Sequence, residues 1–244
     1  MKIVSSIGFT LLLIAMLLSG CGQSSTGTAN DTITDSGSAQ STLDTNAPAE
    51  NTDDLFVWEG TVITDLTEKG MAAEELVIPD TATSIDSRAF AFAEMKKVTL
   101  GANVEELGNY SFEKCKNLEA IVFPNSLKKI GQGTFRSCEK LVTVTFSDGL
   151  VEIGKFAFFG TSMESITIPE GVTVMGEGAF NPCLNATSVY LPASLENIQL
   201  LSFGLHPTGA TIYIKEGSWA DKHFEEYVPI DMYTDELVYE KAYY

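Results

Sequence analysis

The chain repeats itself with a period of 22 or 23 residues, and this periodicity constrains its fold more than any other feature. A phenylalanine marks every period, and an aliphatic residue stands five positions before it. The phenylalanines are Phe90, Phe112, Phe135, Phe158, Phe180 and Phe203, and the aliphatic residues are Ile85, Leu107, Ile130, Ile153, Met175 and Ile198. Repeats of this length are typical of supersecondary units that bury their apolar faces only by stacking. The sequence therefore predicts a solenoid with a phenylalanine spine.

A second register of the repeat holds short apolar or β-branched runs. They occupy residues 76–78, 98–100, 121–123, 144–146, 166–168, 189–191 and 212–214. Each run predicts a short strand whose side chains point inward, outward and inward again. Glycines after the aliphatic residue, such as Gly131 and Gly154, predict a tight corner, and the phenylalanine segment is expected to be a short helix or 3₁₀ turn. The expected fold class is a mainly β solenoid with short helical or 3₁₀ turns, about six repeats and a cap at each end.

The repeat resembles the BspA-like leucine-rich repeat family of bacterial surface proteins. The matching pattern is a strand, a proline and then Ile-Gly-x-x-x-Phe-x-x-Cys-x-x-Leu, as in Ile130-Gly131, Phe135, Cys138 and Leu141. The resemblance implies a parallel-stranded solenoid displayed on the cell surface, often used in adhesion or protein binding. The last repeat departs from the pattern, because Gln199 follows its aliphatic residue and residues 205–207 replace the Cys-x-x-Leu stretch.

Residues 1–20 resemble the signal peptide of a bacterial lipoprotein. Lys2 precedes an apolar stretch at 7–18, and the segment ends in Leu18-Ser19-Gly20-Cys21. This resemblance implies that Cys21 receives a diacylglyceryl group, whose two acyl chains anchor stably. The alternative is a cleaved secretory signal followed by an incidental cysteine. We therefore expect a bacterial envelope protein, held at the membrane by lipid on Cys21 and exposed on the outer side.

The remaining chain divides by composition. Residues 21–54 hold the lipidation cysteine and a disordered tether, because they are rich in Ser, Thr, Asn and Asp and nearly devoid of apolar side chains. Residues 55–75, with Trp58, form a predicted N-terminal cap, and 76–214 form the solenoid. Residues 215–244 form a C-terminal cap and tail, in which Ser218 is the expected N-cap of a helix containing Trp219. The sequence does not place residues 228–244.

The charge balance excludes several classes of partner. Fifteen Lys and Arg against 33 Asp and Glu give a net charge of −18, which disfavours nucleic acid and anionic lipid surfaces. His206 and His223 are the only histidines, and both suit surface or capping positions. The sequence contains no motif for a metal or cofactor. Exposed pairs in consecutive repeats, such as Glu106 and Lys129, predict a ladder of opposite charges.

The alternative to a binding module is a carbohydrate-active enzyme built on a parallel β-helix. Such enzymes need a pair of acidic groups on an exposed strand face. The outward strand positions are Val77, Thr99, Val122, Thr145, Thr167, Tyr190 and Tyr213. They include no carboxylate, and neither does the flanking row as predicted from Lys97 to Thr211. We therefore expect no enzymatic activity.

Two adjacent outward tyrosines are the candidate ligand-binding residues. Tyr190 and Tyr213, with Lys215 nearby, could stack on a sugar or bind a peptide, or they could lie under the tyrosine-rich tail.

The three cysteines of the repeats, Cys115, Cys138 and Cys183, each follow a spine phenylalanine by three residues. The first two are close enough for a disulfide, but all three also suit buried reduced side chains. The predicted function is non-catalytic cell-surface binding or adhesion toward a protein or glycan, and the third possibility is a purely structural envelope spacer.

Overall fold

The computed structural model describes residues 52–198, 210–227 and 240–244. All of them belong to one compact unit, Pro48–Tyr244. The predicted signal peptide, the lipidation site Cys21, nearly all of the tether, Phe203 and His206 lie outside the described residues. The predictions made for these positions therefore remain predictions.

The three-residue runs form parallel strands, each beginning one residue before the predicted run. These strands are β3 (Glu75–Val77), β5 (Lys97–Thr99), β7 (Ala120–Val122), β9 (Thr143–Thr145), β11 (Ser165–Thr167), β13 (Ser188–Tyr190) and β15 (Thr211–Ile214). Their middle residues point into the core, and their first and third residues point outward. We call the surface made by those outward residues the strand face.

A second sheet, which the sequence did not predict, runs along another side of the solenoid. Its strands are β1 (Phe56–Glu59), β2 (Val62–Leu66), β4 (Ser84–Ile85), β6 (Glu106–Leu107), β8 (Lys129–Ile130), β10 (Glu152–Ile153), β12 (Val174–Met175) and β14 (Asn197–Ile198). β1 and β2 pair antiparallel, and every later pair is parallel. The regular spacing of the aliphatic residues thus reflects a ladder of two-residue strands.

The phenylalanine segments are hydrogen-bonded turns. Successive N–H groups alternate between partners: Ala91 donates to Arg88 O in its own coil at 3.0 Å, and Phe90 donates to Ser111 O of the next coil at 2.8 Å. Two columns of residues have positive φ. The first comprises Arg88, Tyr110, Gly133, Phe156 and Gly178, and the second comprises Phe92, Lys114, Ser137 and Gly160.

The regular helices lie near the ends: a 3₁₀ helix (Thr52–Leu55), α1 (Glu68–Met71), α2 (Trp219–Lys222) and α3 (Phe224–Tyr227). The predicted fold class, a mainly β solenoid of about six repeats, is confirmed.

The phenylalanine spine forms as predicted within the described coils. Phe90, Phe112, Phe135, Phe158 and Phe180 are fully buried. Their ring centroids lie 5.1–5.2 Å apart from one coil to the next, and the rings are nearly parallel from Phe112 onward. Phe123 and Phe146 pack against the spine from the strand side. The core is therefore a continuous aromatic column that couples each coil to its neighbours.

The glycines after the aliphatic residues serve close packing between coils. A Cβ built on Gly154 would lie 2.6 Å from the carbonyl carbon of Gly131, and one on Gly131 would lie 2.8 Å from that of Gly108. A turn follows each of these glycines, as predicted, but they do not have positive φ, so the turn itself does not require glycine's conformational freedom. The column contains glycine because the backbone of the preceding coil occupies the space of a side chain.

Both ends of the solenoid carry the predicted tryptophans. Trp58 packs edge-on against Phe56, which in turn stacks on the spine residue Phe90 at 6.0 Å. At the other end the Ser218 side chain caps α2 as predicted, and Trp219 stacks on His223 at 4.2 Å. A final strand, β16 (Glu240–Tyr243), pairs in parallel with β15. The C-terminal tail therefore extends the sheet, which the sequence did not predict.

The sheet under the strand face is interrupted once. Among the described strands, β3-β5-β7-β9 form one sheet and β11-β13-β15-β16 another, whereas the eight strands of the second sheet are continuous. At the interruption the inward residue Val144 and the following Phe146 are only partly buried. The two sides of the solenoid therefore differ in hydrogen-bonded continuity. In the part of the chain that the structure describes, no helix has the length and apolar character needed to cross a membrane.

Candidate functional site

From β7 to β15 the strand face is a long uncharged strip on an acidic chain. From β7 to β15 its outward positions are Ala120, Val122, Thr143, Thr145, Ser165, Thr167, Ser188, Tyr190, Thr211 and Tyr213. Val122 is 62% exposed, and the threonines of β9 and β11 are exposed as well. The Ser188 hydroxyl donates a hydrogen bond to Ser165 Oγ at 2.9 Å. The strip therefore offers hydroxyl and methyl groups in rows that follow the solenoid axis.

From β3 to β15 the flanking row contains one carboxylate that the sequence pattern did not reveal, and β16 adds Glu240 at the far end of the row. The row begins at Glu75 in β3, one coil before Lys97, and the two side chains pair at 3.8 Å. Both are more than half exposed, so the pair contributes little to stability. A single carboxylate paired with a lysine does not supply the two acidic groups that glycoside hydrolysis needs.

A groove opens in the strand face between β5 and β7. These strands pair only at Lys97 and Ala120, and beyond that point a cavity of about 320 Å³ lies between them. It is lined by Lys97, Val98, Thr99, Leu100, Ala120, Ile121, Val122, Phe123 and Pro124. The groove is mostly apolar. Sequence reasoning missed it, because the strand pattern of both coils is regular.

The three predicted ligand-binding residues come together around the C-terminal residue of the chain. Tyr190 and Tyr213 stack with 4.5 Å between ring centroids and 7° between planes. Tyr244 packs edge-on against Tyr190 at 5.7 Å, and Lys215 Nζ lies 4.0 Å from the Tyr244 ring centroid. The Tyr244 hydroxyl donates to Leu191 O at 2.8 Å. Tyr190 and Tyr213 thus cover each other's facing surfaces. The tail also packs on Tyr190, which was one of the two alternatives expected from the sequence.

Charged side chains form ladders away from the strand face. Glu106 and Lys129 pair at 3.5 Å across β6 and β8, as predicted. Other pairs between neighbouring coils are Lys96–Glu74, Lys116–Glu139, Arg136–Glu113 and Lys155–Glu177. Apart from the buried Glu113, these side chains are about half exposed, so the exposed pairs contribute about a few tenths of a kcal/mol each. Among the described residues, no three His, Cys, Asp or Glu side chains gather as a metal site would require.

The three cysteines of the solenoid are buried and free of disulfides. Cys115 Sγ and Cys138 Sγ each lie 3.1 Å from a spine carbonyl oxygen, that of Phe90 and Phe112 respectively. Burial raises the pKa of Cys183 to about 12, and burial together with a hydrogen bond to Cys115 raises that of Cys138. Since the thiolate is the reactive form, these side chains are small apolar groups of the core.

We therefore expect native protein at pH 8 to show no thiol reactive toward Ellman's reagent. The chain is used with Cys21→Ser, so that only the three core thiols are counted. All three should react after unfolding in guanidinium, because burial is what withholds them. Thr145→Cys, on the exposed strand face, provides the control and should react at once in the native protein. Recovery of a single thiol after non-reducing unfolding would contradict this expectation and indicate a Cys115–Cys138 disulfide.

Comparison with known proteins identifies similar repeats. The family model for the BspA type leucine rich repeat region, in six copies, matches residues 68–180 and 105–217. A leucine-rich repeat protein of T. pallidum is 23% identical with a TM-score of 0.57, covering 66% of this chain and 84% of its own. A leucine-rich repeat protein of Bacteroides ovatus is 30% identical with a TM-score of 0.54, covering 66% of this chain. This chain spans only 46% of the Bacteroides protein. No curated protein matches it.

Proposed function

Because the chain belongs to the BspA-type leucine-rich repeat family, we propose that it is a non-catalytic binding module of the bacterial cell surface. Proteins of this repeat type are typically bacterial surface proteins. In the proposal, the strand face recognises a protein or glycan ligand outside the cell, and lipid on Cys21 holds the module at the membrane. The lipoprotein-like sequence of residues 1–21 supports the anchor.

The observation that carries this proposal is the absence of charge from the strand face between β7 and β15. The chain has a net charge of −18, yet none of the ten outward positions in these described strands is ionisable except for two tyrosines. Burying an unpaired charge costs far more than burying methyl or hydroxyl groups that find partners. Interface cores are accordingly depleted of charged residues. The strip therefore has the composition of a surface that can be desolvated by a ligand.

The shape of the solenoid supports the same proposal. Strands stacked coil on coil hold these side chains in fixed rows, so that little side-chain freedom is lost on binding. The groove between β5 and β7 adds an apolar depression at one end of the strip. The strip also lacks the acidic pair that a carbohydrate-active enzyme would need, which supports a role in binding without turnover.

A charge placed in the strip should abolish recognition. We expect Thr167→Glu to weaken binding at least tenfold, because a carboxylate at the centre of the interface would be desolvated without a partner. Ligands are first found by probing protein and glycan arrays with the Cys21→Ser chain, and their affinities are then measured by biolayer interferometry. The matched control is Asn197→Glu, which adds the same charge to an exposed strand of the second sheet.

The control should bind like the parent chain. Equal losses from Thr167→Glu and Asn197→Glu would show that net charge, and not the strand face, governs recognition. Failure to find any saturable ligand on either array would overturn the proposal in favour of a structural spacer.

A further inference from the structure

The C-terminal segment of the chain occupies the edge of β15. Residues Glu240–Tyr243 pair in parallel with Thr211–Ile214, residue by residue. The ladder continues at both ends, because Glu240 N–H donates to Ala210 O at 3.0 Å and Tyr244 N–H donates to Ile214 O at 3.4 Å. No residue of this segment is fully buried. Main-chain pairing and a few side-chain contacts therefore hold it in place.

Lys241 of this segment enters a pocket built for a cation. Its Nζ lies 2.6 Å from Asp221 Oδ1 and 3.2 Å from the Asp221 carbonyl oxygen, and 5.1 Å from the centroid of the Phe224 ring. The surrounding cavity is about 420 Å³ and is lined by Asp221, Lys222, His223, Phe224, Glu225, Glu226 and Lys241. We call this the cation pocket. It combines a carboxylate, a carbonyl oxygen and an aromatic face, each of which attracts an ammonium group.

The carboxylate of the cation pocket is fixed by its neighbours. Asp221 Oδ2 accepts from Gly217 N–H at 2.8 Å, and Oδ1 accepts from the Tyr243 hydroxyl at 3.0 Å. The hydrogen bond from Lys241, followed by that from Gly217, lowers the pKa of Asp221 to about 2. Asp221 is therefore ionised at physiological pH and faces Lys241 as an anion.

The last residue of the segment fills a second recess, which we call the tyrosine seat. It consists of Tyr190, Lys215 and the Leu191 carbonyl group, which contact the edge, the face and the hydroxyl of Tyr244 respectively. Tyr244 nevertheless remains 47% exposed. The solenoid thus contacts the segment through two of its side chains, Lys241 and Tyr244, and along its backbone.

From these contacts we infer that the β15 edge is a docking site for an extended peptide of a partner protein, and that the C-terminus of the chain is its internal occupant. The partner peptide carries a lysine or arginine for the cation pocket and, three residues later, an aromatic residue for the tyrosine seat. Strand addition supplies the backbone affinity and the two recesses supply specificity, as in other sheet-edge peptide sites. The inference rests on the proposed binding function and assigns a ligand chemistry to one end of the same solenoid.

Charge complementarity selects a partner protein over a second copy of this chain. Apart from its occupant Lys241, the pocket presents Asp221, Glu225 and Glu226 against one cation, Lys222. The whole chain has a net charge of −18. A basic segment is attracted by this field, whereas another copy of the chain is repelled. The internal occupant competes at an effective concentration on the order of millimolar. A free peptide should therefore bind much better once residues 240–244 are removed.

The test compares the Cys21→Ser chain with the same chain ending at Tyr239. The probe is a fluorescein-labelled synthetic peptide with the sequence of residues 238–244, Val-Tyr-Glu-Lys-Ala-Tyr-Tyr, followed by fluorescence anisotropy. We expect the shortened chain to bind this peptide at least tenfold more tightly than the full chain. Replacing the peptide lysine by glutamate, or Asp221→Asn in the shortened chain, should weaken binding at least tenfold. Glu196→Gln, which neutralises an exposed carboxylate outside the cation pocket, is the matched control and should change affinity less than threefold.

A second variant tests the inference without the risk that the shortened chain fails to fold. Lys241→Glu in the full chain ejects the occupant from the cation pocket without shortening the protein, and it should also raise peptide affinity at least tenfold. Equal binding by the full chain and both opened variants, or no binding by any of them, would overturn the inference. Concentration-dependent dimers of the full chain in sedimentation, lost with Lys241→Glu, would overturn the choice of a partner protein in favour of a second copy. Thr145→Glu also places a charge on the strand face, but β11 lies between it and Tyr190. It should leave peptide binding unchanged, so that failure of the strand-face proposal is seen separately.

Discussion

Phe135→Ala should destabilise the solenoid by about 3–5 kcal/mol, the usual cost of emptying a phenylalanine site in a packed core. Phe135 is fully buried, and its ring lies 5.1 Å from that of Phe112, 5.2 Å from that of Phe158 and 5.8 Å from that of Phe123. Alanine would leave a cavity that backbone hydrogen bonds to both neighbouring coils prevent from collapsing. Because a solenoid is stabilised by contacts between adjacent coils, the loss should weaken both interfaces at once.

Urea unfolding followed by circular dichroism would measure this loss. Phe92→Ala is the matched control, since Phe92 is 55% exposed and contacts Lys114 only across a cation–π distance of 5.0 Å. The backbone at position 92 has a φ of 67°, which is unfavourable for phenylalanine and alanine alike. The substitution therefore leaves the backbone strain unchanged. The control should cost less than about 1 kcal/mol. Similar losses for the two variants would contradict the role of the spine.

Gly154→Ala should cost roughly 3 kcal/mol, the upper part of the range for overpacking. The new Cβ would lie 2.6 Å from the carbonyl carbon and 2.7 Å from the carbonyl oxygen of Gly131. These are backbone atoms, and they cannot rotate away as a side chain would. The Gly154 N–H also donates to Ile130 O at 2.8 Å, so the coils cannot separate without losing that bond. Denaturant unfolding of the variant would show the loss as a lower midpoint.

Gly160→Asn separates this steric effect from the loss of glycine itself. Gly160 has a φ of 71°, and a Cβ added to it would lie 3.7 Å from Ser137 Cα, an ordinary contact. Phe92, Lys114 and Ser137 hold the same conformation at the equivalent place in other coils, and asparagine tolerates it better than most residues. We expect a loss below about 1 kcal/mol. A larger loss at Gly160 than at Gly154 would show that backbone conformation, and not contact between coils, explains the regular spacing of the glycines within this chain.

The parts of the fold that recur were predictable from the sequence. Phe135 and Ile121 are buried because the same register is apolar in every coil, and one repeated pattern predicts many equivalent contacts. The two-residue strands, such as Glu152–Ile153, escaped prediction because two residues are too few to show an alternation. The glycine column was recognised, but its cause was not, because a close approach of two backbones has no signature within a single repeat.

The candidate site was predictable only in part. Tyr190 and Tyr213 were found because they share a register position, and parallel pairing of β13 and β15 makes them neighbours. The strand that covers this end was not predicted, because Lys241 and Tyr243 stand at the positions that pair with the inward residues Ile212 and Ile214. The groove between β5 and β7 could not be predicted from coil length either. The inward residue of β5 stands eight positions after its phenylalanine and that of β7 nine, and these two strands diverge. The same difference occurs between β11 and β13, yet those strands pair fully.

The interruption between β9 and β11 has a mechanical consequence. One side of the solenoid is a hydrogen-bonded sheet of eight strands, and the side that carries the strand face is divided into two sheets of four. A rod that is continuous along one side and cut on the other bends most easily at the cut, with the intact side acting as the hinge. Opening there lengthens the strand face and exposes more of Val144 and Phe146, whereas closing shortens it. We therefore expect the curvature of the strand face to adjust to a ligand most readily at this place.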